Sequence, residues 1–77
     1  MLTGKCFRLE RSTLARGTEN GKPKAVTIPV GAVIKVLDEP KNGDGLVDVR
    51  WEGRIFEMFA VDVNVRGTEI TDQSASA

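Results

Sequence analysis

The chain has 77 residues, 40% of them hydrophobic and 29% charged, with 11 Lys and Arg against 11 Asp and Glu. A chain of this length makes one domain with a small core and buries about 60–65% of its unfolded surface. It holds no His, no Tyr and one Cys, Cys6, which excludes a Cys–His or Ser–His nucleophile within one chain, an internal disulfide and zinc-ligand spacing.

No apolar run is long enough to span a bilayer, and no signal-peptide core follows Met1, so a cytoplasmic chain without a membrane partner is expected. The charge is unevenly spread. Residues 1–24 carry six cations against two acids, and residues 25–77 carry five cations against nine acids. Such a dipole steers a partner or a second copy, unless folding interleaves the two halves.

In chain order, "KCFRLE" alternates, with Cys6 on the face opposite Phe7 and Leu9. "ARGTENGKPK" is polar and contains Gly and Pro, which predicts a long mobile loop after the first strand. "AVTIPVGAVIKVL" is two β-branched stretches broken at Pro29-Val30-Gly31, where Pro fixes φ and Gly permits a positive one. "DEPKNGDG" predicts a turn with Asn42-Gly43 or Asp44-Gly45 at its tip. It is not a calcium loop, because Pro40 stands where an EF-hand loop places an acid. "LVDVRW" and "RIFEMFA" are strands joined at Glu52-Gly53. "VDVNVRG" predicts a short last strand entered through a turn of 3₁₀ helix, and residues 71–77 predict a disordered tail. No window shows helical apolar periodicity over ten residues. The sum is an all-β domain of about five strands over residues 1–70, a small barrel or sandwich.

A two-residue turn at Glu52-Gly53 sets the faces of its hairpin. It places Trp51 opposite Arg54, Val49 opposite Phe56 and Val47 opposite Met58 on the core side. The other side pairs Arg50 with Ile55, Asp48 with Glu57 and Leu46 with Phe59. Asp48 and Glu57 are like charges in opposition, with Arg50 and Arg54 diagonally near to neutralise them. Leu46, Ile55 and Phe59 form an apolar triplet that a small barrel has no second layer to cover. The long basic loop, a second subunit or a protein partner is expected over it.

From the diverging turn at Pro29–Gly31 onward, an apolar strand, an acidic Gly-rich turn, the run "VDVRWEGR" and a closing short turn and strand are similar to the SH3-like barrel superfamily over roughly residues 26–66. The resemblance implies a five-stranded SH3-like barrel. Members that dock proline-rich peptides have a Tyr-rich aromatic groove and a Trp opening a strand. Here Tyr is absent and Trp51 closes its strand, so no proline-rich ligand is expected.

With no phosphate loop and no catalytic or metal cluster, the expected role is a non-catalytic interaction module without metal or cofactor. Its expected surface is Leu46, Ile55 and Phe59, used for a protein partner or a homo-oligomer. The alternative is a small nucleic-acid-binding barrel that uses Lys5, Arg8, Arg11, Arg16, Lys22 and Lys24, with Phe7 as its stacking residue.

Overall fold

A computed structural model describes residues 3–38 and 45–70. Along them run β1 (Cys6–Leu9), β2 (Thr13–Glu19), β3 (Lys22–Ile28), β4 (Val33–Val36), β5 (Leu46–Trp51), β6 (Arg54–Phe59), a helix α1 (Ala60–Arg66) and β7 (Gly67–Ile70). The strands join one antiparallel sheet in the order β3-β2-β6-β5-β4-β1-β7. The expected turn at Asn42-Gly43 or Asp44 and the expected tail at 71–77 lie outside the described residues.

The β5–β6 hairpin has the register its turn dictates. Glu52 and Gly53 both take positive φ, 57° and 76°, the pair of left-handed residues that a type I′ turn requires. Trp51 then faces Arg54, Val49 faces Phe56, Val47 faces Met58, and Leu46 faces Phe59. Alternation sends Val47, Val49, Phe56 and Met58 inward, where all four are buried. Phe7 and Leu9 of β1, Ile28 of β3, Ile34 and Val36 of β4, and Val63 of α1 complete the core with Ala15. Cys6 is half-buried on the outer face of β1, as the alternation of its strand predicts.

The stretch expected as a long loop is instead a hairpin of β2 and β3, seven residues each. Asn20 and Gly21 turn it with φ of 53° and 78°, again the two-residue Asn-Gly geometry. The apolar alternation is hidden because the inward residues of β2 are Thr13, Ala15 and Gly17. Gly17 is dictated by packing, since a Cβ there would sit 3.0 Å from two carbons of the Phe56 ring. With this hairpin and β7 counted, the described chain has seven strands rather than five. The free edge formed by β3 carries Lys22, Pro23 and Lys24, residues that discourage a further strand from adding there.

The second correction is α1. "VDVNVR" alternates as a strand does, yet forms a helix rather than one turn of 3₁₀. The chain must carry from β6 to β7, and β7 lies at the far edge beside β1. A helix satisfies its own backbone over that crossing, where no neighbouring strand is available. Val63 is buried in the core and Ala60 packs against it, while Val61 and Val65 stay 61% and 75% exposed. Asp62 lies in the first turn and Arg66 in the last, which suits the helix dipole. Their side chains approach to 3.7 Å at i,i+4 spacing. The Gly67 N–H donates to the Val63 carbonyl to close the helix.

Two outcomes test this packing. Phe56→Ala should cost about 3–5 kcal/mol in urea denaturation, the range for a buried aromatic. Val65→Ala should raise stability by roughly half a kcal/mol, because Ala is the better helix former at an exposed position. A loss of stability on that change would mean that 60–66 is a strand.

Candidate functional site

The outer face of the sheet is organised in rows that run across the strands. In one row Leu46 of β5 faces Phe59 of β6. The β2–β6 pairing at Arg16↔Glu57 continues two residues outward to set Leu14 beside Phe59. Leu14 is 64% exposed and Phe59 50%, while Leu46 is half-buried. Leu14, Leu46 and Phe59 line one shallow groove together with Pro23 and Ala25 of β3.

The next row is charged. Arg16 donates from Nε and Nη2 to the Oε1 of Glu57 at 2.8 and 2.6 Å. Glu57 in turn faces Asp48. The cation that Glu57 meets is Arg16, from a strand the sequence hides. The long segment expected to fold over the apolar triplet lies beside it, as β2, and extends it with Leu14.

Ile55 belongs to a third row, opposite Arg50. It is 55% exposed, with the Arg16–Glu57–Asp48 row between it and Phe59. The structure thus brings Leu46 and Phe59 together and leaves Ile55 apart.

The six cations of the basic third are also divided. Lys5 meets Glu69 at 3.7 Å, Arg16 meets Glu57, and Lys24 meets Glu19 at 2.7 Å. Arg16, Lys22 and Lys24 ride on the β2–β3 hairpin. Arg8 is on β1, separated from β2 by three strands in the sheet order, with Lys5 and Arg11 flanking that strand. Two of the ion pairs, Lys5–Glu69 and Arg16–Glu57, join the basic third to the acidic remainder and so shrink the charge dipole. Phe7, the stacking residue of the nucleic-acid alternative, is buried in the core.

The inner side of the two hairpin tips forms a second cleft, between Trp51, Phe56, Val26 and Gly17, with Glu19, Lys24 and Arg54 at its rim. Trp51 and Phe56 sit 5.8 Å apart between ring centroids, tilted by 50°. The Lys24 hydrogen bond and charge hold the Glu19 carboxyl below its usual range. Among the described residues, no group of three or more His, Cys, Asp or Glu could hold a metal ion, and no helix is long and apolar enough to cross a membrane.

One pair escapes sequence reading. Lys35 of β4 and Arg50 of β5 are direct cross-strand partners. Both are exposed, and neither makes an ion pair among the described residues. Like charges in this position weaken a sheet. Lys35→Glu turns the repulsion into attraction and should stabilise the fold by about 0.2–1 kcal/mol at low salt. Thermal or urea unfolding at two salt concentrations measures the gain, which should fade at high salt.

In comparisons with known proteins, no family model, no curated protein and no solved structure matches the chain.

Proposed function

We propose that the chain is a non-catalytic interaction module, an SH3-like barrel that associates with a second copy of itself through the row Leu14–Phe59–Leu46. The observation that carries the reading is Phe59, half-exposed in an apolar row that extends onto two neighbouring strands. A contiguous apolar surface of this kind marks an interface more often than it is left to water. The charged groups around the groove are already matched within the chain: Arg16 to Glu57, Lys24 to Glu19 and Arg66 to Asp62. An electroneutral rim favours an apolar occupant without strong net charge. A second copy of this chain, whose formal net charge is zero, fits that requirement. A two-fold arrangement would set one apolar row against its own image.

The barrel reading is supported by the strand partners. The Pro29–Gly31 break separates β3 from β4, the Glu52-Gly53 turn joins β5 to β6, and the last strand returns to lie beside the first. The Gly31 N–H donates to the Leu9 carbonyl at 2.7 Å, and the Leu9 N–H to the Ala32 carbonyl at 2.9 Å, which ties the break to the end of β1.

Light scattering across a range of protein concentrations tests the reading. The chain should show the mass of a dimer at high concentration. Phe59→Glu should return it to a monomer with unchanged circular dichroism and an unchanged urea midpoint. A chain that stays monomeric throughout sinks self-association, and a variant that unfolds shows Phe59 to be structural.

A further inference from the structure

We infer that the outer face of β5, β4 and β1 is a second binding surface, which holds the phosphate backbone of a nucleic acid duplex through Arg50, Lys35 and Arg8. The inference is independent of the apolar row and uses none of its residues.

Alternation places these three side chains on one face. Val47 and Val49, Ile34 and Val36, and Phe7 and Leu9 point inward from their strands, so Arg50, Lys35 and Arg8 point outward. Lys35 is the direct partner of Arg50, and Arg8 is the partner of Val33, two residues before Lys35. Direct partners have Cβ atoms about 4.5–5.5 Å apart and diagonal ones stand about 7–8 Å apart. The three cations therefore form one short slanted line across three strands.

Among the described residues, no ion pair neutralises their charge. The described ion pairs use Lys5, Arg16, Lys24 and Arg66, and none of them uses Arg8, Lys35 or Arg50. Of the acids near this face, Glu57 is held by Arg16 and Glu69 by Lys5, Asp48 has an interaction of its own, and Glu10 and Asp38, though close in sequence to Arg8 and Lys35, form none of the described ion pairs with them. A directly opposed Lys and Arg with no acid between them is an arrangement that an external anion relieves. A single phosphate or carboxylate would satisfy only that pair. The third cation, one row further along the same line, calls for an anion that repeats, and a phosphodiester backbone repeats at short regular intervals.

The neighbours on this face are Ile55, Val33, Cys6, Thr68 and Ile70. None is aromatic, so there is no platform on which an unpaired base could stack. This favours contact with backbone phosphates and binding without sequence preference. It also places the surface away from Lys22 and Lys24, which sit on the far edge strand.

The test is fluorescence anisotropy of the full chain with a labelled mixed-sequence DNA duplex over a salt series. Three phosphate contacts predict a slope of log K against log salt of about −2.7. The double change Lys35→Gln, Arg50→Gln should reduce that slope to about −0.9, while Lys22→Gln leaves it unchanged. Circular dichroism confirms that each variant is folded. Absence of binding at the lowest salt overturns the inference. So does a slope untouched by the double change. Binding to phosphatidylserine vesicles without binding to the duplex would assign the surface to a membrane and likewise overturn it.

Discussion

The left-handed pair Glu52-Gly53 is the constraint on which the other contacts rest. A two-residue turn of that type admits one register between the strands it joins. That register puts Val47, Val49, Phe56 and Met58 on a single inward face. A slip by one residue would exchange them for Leu46, Ile55 and Phe59 and place Asp48 and Glu57 in the core. The burial of two carboxylates without partners is far more costly than the exposure of four apolar groups. Turn geometry and the position of the acids thus select the same face. Phe56 then needs space on the neighbouring strand, and Gly17 supplies it by having no side chain. With Phe56 seated there, β2 lies against β6 and Arg16 reaches Glu57.

Ion pairing follows from this strand order. The basic N-terminal third is not a separate lobe, because β1 lies between β4 and β7 and β2 pairs with β6, all strands of the acidic remainder. Arg16 is drawn to Glu57 across β2 and β6, and Lys5 to Glu69 across β1 and β7. These are surface pairs, each worth at most about 1 kcal/mol. Their larger effect is on the electrostatic map. They leave the apolar groove electroneutral, and among the described residues they leave positive charge without an ion pair on the opposite part of the outer face, where Lys35 stands opposite Arg50.

How far the sequence speaks depends on which residues point inward. The β5–β6 hairpin is legible because its inward residues are large and its turn carries Gly53. The break at Pro29–Gly31 is legible from backbone chemistry alone. The β2–β3 hairpin is not legible from hydrophobicity, since Thr13, Ala15 and Gly17 give no apolar alternation, although Asn20-Gly21 is a turn signal in itself. The helix is concealed for the opposite reason: Val61, Val63 and Val65 alternate well, and only the crossing to β7 forces them off the strand conformation. Of the surface residues, Phe59 and Leu46 follow from the hairpin register. Leu14 requires the hidden β2. The opposition of Lys35 and Arg50 requires the β4–β5 register, which a connection of nine residues, 37–45, leaves open at the level of sequence.

The helix also ends β6. From Arg54 to Arg66 the chain contains no Gly and no Pro, and in a continuous strand Ile55, Phe59, Val61, Val63 and Val65 would all fall on one face. Nothing in that composition instructs a growing strand to stop at Phe59. If the helix unwinds while β6 persists, the same segment becomes one long β-prone ribbon with an unshielded apolar face. Ribbons of that kind recruit identical neighbours into cross-β stacks. The seven residues of α1 are few and rich in weak helix formers. Because Val63 belongs to the core, unwinding of α1 opens the core at the same moment that it exposes this ribbon.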